Sequence, residues 1–288
     1  PALHALRRAF PEHRIVLATT GWLEPIVGLV GAVDVVLPTP GLSQPLAVER
    51  GTIDVAVNLH GRGPESGGLL EAIAPARLIA HRPDSPVGPE WVDGVLERVR
   101  WTRLLAAHGI AADPEEVRID VPDAPPVVAD ATVVHVGAFY GARHWPTDRF
   151  AEVAARLAAA GHRVVLTGGD VERERSLEVA RLAGLGAADV LAGDLDLVGF
   201  AAVVAAARLV VTVDTGAAHL ASAYGIPSVV IFGPAPPEEW GPPAAGPHIV
   251  LTDASLRRGD VFAAEPDPAL LAVTVEDVLA AVERLPLR

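Results

Sequence analysis

Cysteine is absent from all 288 residues, which excludes disulfides, thiolate metal sites and a cysteine nucleophile together. Lysine is absent too: the 23 basic residues are all arginine and face 36 acidic ones, for a formal net charge of −13. No cluster of these arginines forms a stripe suited to a phosphate backbone, so nucleic acid is not an expected partner. No apolar run reaches the roughly 18 residues that a membrane helix needs, and the opening "PALHALRRAF" has no secretory apolar core. A soluble, cytoplasmic monomer is expected, with peripheral membrane association left open. Methionine is missing even at position 1, so the sequence is expected to omit a leading segment. A P-loop, a His-Glu-x-x-His motif and a Gly-x-Ser-x-Gly elbow are also missing, which leaves ATP hydrolysis, zinc proteolysis and the usual serine-hydrolase architecture without support.

What is present is apolar and regularly patterned. Half the residues are hydrophobic, ample for a real core. Short apolar runs alternate with helix-period segments, the pattern of βα units in parallel sheets covered on both faces. Strands are expected at "RIVLA" (14–18), "VDVVLP" (33–38), "IDVAVNLH" (53–60), "TVVHVG" (132–137), "RVVLTGG" (163–169), "RLVVTVD" (208–214) and "IPSVVIFGP" (226–234). Helices are expected near 1–9, 66–74 and 92–108, over "TDRFAEVAARLAAAG" (147–161) and over "TVEDVLAAVERL" (274–285), where Thr274 and Asp277 stand at capping-box spacing. The segment "VPDAPPVVAD" (121–130) disfavours helix through its prolines and reads as a linker. The expected class is α/β, with one domain over 1–126 and a second over 127–288, and with the last helix free to pack back on the first domain.

Ligands of open parallel sheets gather at the carboxyl ends of strands, and polar clusters follow three of the expected strands. In "VDTGAAHLASAYG" (213–225) an apolar strand ends at Asp214, Thr215 and Gly216. The helix that follows offers free N–H groups and the positive end of its dipole to an anion, with His219 on the same face as Thr215. The same residues would also serve as a plain helix cap beside a packing histidine. In "HVGAFYGARHWPTDRF" (135–150) a glycine-containing loop leads to Arg143, a side chain suited to bidentate phosphate pairing or to a solvated loop charge. In "LTGGDVERER" (166–175) Asp170 and Glu172 could hold ribose hydroxyls or could form an acidic first helical turn.

Together "RHWPTDRF", "VVLTGG" and "VDTGAAHLASAYGIPSVVIFGP" resemble the second-domain motifs of glycosyltransferase family 9, the ADP-heptose:lipopolysaccharide heptosyltransferase family, over about 130–243. "PALHALRRAFPEHRIVLAT" and "IDVAVNLHGRGPESGGLL" are similar to segments of its first domain. The resemblance implies a GT-B fold, two Rossmann-like domains facing a cleft. It implies inverting, metal-independent transfer of a heptose or related sugar from an ADP-linked or other nucleotide-sugar donor, with no cofactor. The acceptor hydroxyl would belong to a glycan, glycolipid or small molecule, as in lipopolysaccharide core biosynthesis. By the same resemblance Arg143, Asp214, Thr215, Gly216 and His219 would bind donor diphosphate and sugar, with Asp170 or Glu172 near the adenosine ribose. The family's base, an acid in the loop after the first strand, would lie upstream of Pro1, and so would that strand. Residues His60, Gly61 and Arg62 would line the acceptor side, or pack as an ordinary loop. The match departs from the family at Val136, where proline is usual, and at Phe139 and Tyr140, where small or hydroxyl residues are common.

Two further patterns are read as decoys. Asp194 and Asp196 form an Asp-x-Asp pair but open the apolar run "LVGFAAVVAAA", so a helix start is expected there and no metal. The glycines of "HGRGPES" begin like a dinucleotide fingerprint, but Pro64 interrupts the helix start. Competing readings are a non-catalytic nucleotide-sugar-binding module, since fold alone does not establish activity, and a GT-B-type nucleotide-sugar epimerase.

Overall fold

The computed structural model describes residues 1–287. Contacts divide the chain into two compact units, Pro1–Asp120 and a second beginning at Val121, so the division falls at the start of the proline-rich segment.

In unit 1, helix α1 (Ala2–Ala9) leads to strand β1 (Val16–Thr19), helix α2 (Glu24–Val30) and strand β2 (Val35–Pro38). Strands β1 and β2 pair in parallel from Val16↔Val35 to Thr19↔Pro38. Strand β3 (Val55–Val57), helix α3 (Pro64–Ala72) and strand β4 (Arg77–Ile79) follow, with β3 and β4 forming a second parallel pair. Helix α4 (Glu97–Ala107) completes the unit and packs on α1, sealing a core of Ala5, Leu6, Ile79, Leu104 and Leu105. Pro64 does not interrupt α3, as the sequence reading had it; it is the first helical residue. There a missing N–H costs nothing and the fixed φ suits the helix.

Unit 2 is built on one sheet. Strand β5 (Thr132–His135), helix α5 (Thr147–Ala159), strand β6 (Val164–Thr167), helix α6 (Arg173–Ala183) and helix α7 (Leu197–Ala205) come first. Strand β7 (Leu209–Val213), helix α8 (Gly216–Tyr224), strand β8 (Ser228–Ile231), helix α9 (Pro237–Trp240) and strand β9 (His248–Leu251) follow, then helices α10 (Pro268–Leu271) and α11 (Val275–Arg284). The strand order is β6-β5-β7-β8-β9, and every pair is parallel. All residues of β6, β7 and β8 are buried, which is why they read as unbroken apolar runs with little alternation.

The helical face foreseen in α5 is the one that enters the core: Phe150, Val153, Ala154 and Leu157 are all buried, with Phe150 edge-on to Trp145 at 5.0 Å. Helix α11 packs within unit 2 on α5, β8 and β9, and its capping box forms, with Asp277 N–H donating to Thr274 Oγ1 at 3.2 Å. Asp196 caps α7 by accepting from Gly199 N–H at 2.7 Å, and Asp194 pairs with Arg173 at 2.9 Å. The Asp-x-Asp pair is thus occupied by a cap and an ion pair.

The chain leaves β5 toward β6 on one side and returns to β7 on the other. The carboxyl ends of β5 and β7 therefore flank the switch point of the sheet, where open parallel sheets hold their ligands.

Candidate active site

Two segments meet at that switch point. After β5 the chain forms a loop over 136–140 and a short turn, Gly141–Arg143, before α5. The loop is held from inside: His144 Nε2 is 2.9 Å from Ala138 O, and Arg175 of α6 donates to the carbonyls of Val136 and Trp145. Trp145 is fully buried and donates to Val273 O at 3.1 Å. Within "RHWPTDRF", His144 and Trp145 thus shape the loop and Pro146 starts the helix, which leaves Arg143 to act outward. Its guanidinium reaches across the switch point to the segment after β7. There Nη1 donates to Asp214 O at 3.2 Å and lies 3.4 Å from Asp214 Oδ2. Its buried Nε has no hydrogen-bond partner among the described residues.

Asp214 is buried, and burial pushes its carboxyl above the ordinary value, with Arg143 and then His219 pulling the other way. A buried carboxylate with one cation beside it is a strong acceptor for hydroxyl or N–H donors. Thr215 stands at the N-cap of α8 with extended backbone but makes no capping bond; its hydroxyl turns back to Thr212 Oγ1 at 3.1 Å and Val213 O at 3.4 Å. The simple cap reading of Asp214 and Thr215 is therefore not what the side chains do. The N–H groups of Gly216 and Ala217 meet no acceptor among the described residues, as the first turn of a helix requires.

Gly216 is exposed, and a Cβ built there would meet nothing within 4 Å. Neither strained backbone nor crowding by the protein calls for glycine at this place. An anion seated on the helix terminus would call for it, because it needs the backbone close. His219, one turn on, is exposed on the same helix and close enough to Asp214 to affect its charge.

The acids after β6 are placed differently. Glu172 accepts from Gly169 N–H at 2.7 Å, closing a local turn. Asp170 is exposed at the start of that turn, with Oδ1 only 3.0 Å from where a Cβ on Gly193 would lie. Neither acid bonds to Arg143 or Asp214, so the structure gathers Arg143, Asp214, Thr215, Gly216 and His219 and leaves Asp170 and Glu172 as a separate pair at the neighbouring strand end. Of the two, Asp170 is the one with a free carboxylate edge.

In unit 1, Asn58 is buried at the end of β3 and organises the turn: it donates to Ser66 Oγ at 3.0 Å and Asp84 Oδ2 at 3.3 Å, and accepts from His60 N–H at 3.1 Å. Arg62 lies over the ring of Trp91 at 5.8 Å and lines a cavity of about 590 Å³ with Arg82, Pro83, Pro86, Glu90 and Trp91. His60 and Gly61 shape the turn but are not among those lining residues. His81 packs edge-on to the lining residue Trp91 at 5.0 Å; its buried Nδ1 has no hydrogen-bond partner among the described residues, and burial lowers its pKa.

Three structural residues escaped the sequence reading. Arg175 looks like one more charge on an amphipathic helix, with no local mark that it holds a loop. His135 sits at the end of β5, where an isolated histidine in an apolar strand carries no signal of its partner Thr167 at 3.0 Å. Asp267 could have been found, since Asp before Pro268 is an N-cap signature. It is buried and accepts from the N–H groups of Arg258, Gly259 and Ala269.

Comparison with known proteins gives the site a context. The family model described as glycosyltransferase family 9 (heptosyltransferase) matches residues 110–258, just over half of the chain. Lipopolysaccharide heptosyltransferase 1 of Pseudomonas aeruginosa is 38% identical over 155 residues, 51% of this chain and 42% of that protein. Lipopolysaccharide heptosyltransferase 2 of Escherichia coli is 32% identical over 160 residues, 52% of this chain and 44% of that protein. The matched stretch thus spans less than half the length of these curated relatives. The fold likeness is wider. An E. coli heptosyltransferase solved with ADP-2-deoxy-2-fluoro heptose superposes with a TM-score of 0.72 at 20% identity, over 98% of this chain and 93% of that one. A family 9 glycosyl transferase from Veillonella parvula gives 0.74 at 19% identity, over 98% and 90%. The GT-B class expected from the sequence is the fold of these neighbours. Since the matched residues contain β5 to β9 and the Arg143–Asp214 pair, the chain belongs to glycosyltransferase family 9.

Proposed function

We propose that the chain transfers a heptose or related sugar from an ADP-linked donor to a hydroxyl of a glycan or glycolipid, with inversion and without a metal. Relatives named as lipopolysaccharide heptosyltransferases and a neighbour solved with an ADP-heptose analogue support the reading. The observation that carries it is the pairing of Arg143 with Asp214 beside the open N-terminus of α8, where Gly216 leaves room for a diphosphate.

As the bond from the anomeric carbon to the diphosphate stretches, negative charge grows on the leaving oxygens and positive charge on the sugar ring. Fixed donors aimed at the leaving group lower that barrier without reorganising. In this reading the N–H groups of Gly216 and Ala217 and the guanidinium of Arg143 supply them. Asp214 accepts hydroxyls of the transferred sugar, which orients the ring, and Asp170 accepts from the ribose. A base must take the proton of the acceptor hydroxyl; this reading assigns that role to none of the residues gathered at the switch point.

ADP is expected to raise the melting temperature of the protein, and Arg143→Ala to abolish that rise. Incubation with ADP-heptose and candidate acceptors, followed by mass spectrometry with and without EDTA, is expected to show a heptosylated product in both cases. The reading fails if ADP, GDP and UDP all leave the melting temperature unchanged.

A further inference from the structure

Arg175 spans the two ends of the loop that carries Arg143. It stands half-buried in the first turn of α6, and its one guanidinium reaches two carbonyls: Nε donates to Val136 O at 3.2 Å, and Nη2 donates to Trp145 O. Val136 and Trp145 are themselves buried, so a carbonyl that lost its donor there would be costly. Burial lowers the pKa of Arg175, with Glu178 and Glu172 pulling the other way, and an arginine keeps its charge at any working pH.

This grip sorts the polarity of the loop. The carbonyls of Val136 and Trp145 face Arg175, and that of Ala138 accepts from His144 Nε2 at 2.9 Å. By contrast, the N–H groups of Gly137, Ala138, Phe139, Tyr140 and Gly141 meet no acceptor among the described residues. A carbonyl oxygen turned onto an anion repels it, whereas successive unpaired N–H groups attract one.

Arg143 belongs to the same loop, two residues before the second pinned carbonyl. Its Nη1 crosses to Asp214 O at 3.2 Å on the far side of the switch point. How far that guanidinium reaches therefore depends on where the loop ends are held, and α6 holds both of them through a single side chain.

We propose that Arg175 is a positioning residue for the diphosphate: by pinning both loop ends it sets Arg143 toward the donor's second phosphate, and so makes the site prefer a nucleoside diphosphate to a monophosphate. This rests on the donor reading above, which puts the ribose at β6 and the diphosphate at α8. The second phosphate is then the one farther from the ribose.

The test is calorimetry on the full chain with ADP, and with AMP read by its displacement of ADP. Arg175→Met keeps an apolar stem and removes both donors. It is expected to weaken ADP by about tenfold and AMP by less than about twofold. Arg175→Lys keeps the charge but has no fork for two carbonyls, and is expected to weaken ADP by about threefold with AMP again nearly unchanged. A merely structural role would lower both affinities together, so equal loss of ADP and AMP overturns the proposal. Unchanged ADP binding in the Met variant overturns it as well, and so does a parent protein that binds AMP as tightly as ADP. Should the Met variant fail to fold, the Lys variant decides by the same ratio, and a ratio like the parent's counts against the proposal. Failure of the parent to bind ADP would instead overturn the donor reading.

Discussion

The two units use the same βα vocabulary and differ in how completely they bury it. In unit 2, β6, β7 and β8 have no exposed residue, whereas β1 in unit 1 alternates exposed and half-buried positions, with Val16 43% exposed. Helices differ in the same direction. None of α1 to α4 has a side-chain N-cap bond, while Asp196, Asp267 and Thr274 cap α7, α10 and α11. Unit 1 relies more on surface pairs such as Arg8–Glu116 and Arg98–Glu115, which contribute little in water. Stability that comes from a shared core is cooperative, and unit 2 is expected to be the sturdier half. That suits a unit that must hold Arg143 and Asp214 from different strands in fixed register.

The comparison can be broken most forcefully at the core of unit 2. Phe150→Ala should cost about 3–5 kcal/mol, because it empties a fully packed site against Trp145. Hydrogen exchange should then show protection lost across 121–287 and retained across 1–120; equal loss in both would end the distinction.

Acid is the next lever. Burial lowers the pKa of His135 from its ordinary 6.5 to about 4. The unfolded chain takes up the proton first, so stability present above pH 6.5 is lost as pH falls toward 4, on the order of 3 kcal/mol for this group. His162 and His248 shift in the same direction. His135→Gln should therefore flatten, without abolishing, the fall in melting temperature between pH 7 and 4.5. An unchanged slope would show that His135 is not buried neutral.

The smallest change sharpens the capping contrast. Thr274→Ala should destabilise unit 2 by about 1 kcal/mol in urea titrations, and a loss below experimental error would show that α11 is held by packing alone.

Unit 2 was also the more legible half. Its strands are apolar on both faces and stood out as runs, and α5 announced its buried face through Phe150, Val153, Ala154 and Leu157. Strand β4 leaves no pattern in the sequence because three residues are too short for one, and β9 begins at a histidine. Helix α2 is hidden in the same way, because Pro25 and Gly28 look like a loop. At the site, the residues after each strand could be named because strand ends are where ligands gather. That Arg143 touches Asp214 could not be read, because it depends on β5 and β7 being neighbours in space although 71 residues separate the pair. Nor could Glu172's engagement with Gly169, a choice between two acids that only the turn geometry makes.

The anchor at Asp267 has a bearing on how such a chain can diverge. Asp267 N–H donates to Ala142 O at 3.0 Å, and its buried carboxylate accepts from Arg258, Gly259 and Ala269, whereas Phe139 and Phe262 stand 88% and 70% exposed with Tyr140 as their ring contact. Substitutions at those tips are expected to be close to free for the fold and to leave the Arg143–Asp214 pair in place. The tips can then drift by single codon changes while the framework beneath them is inherited unchanged, and a designer could follow the same route by exchanging only the tips.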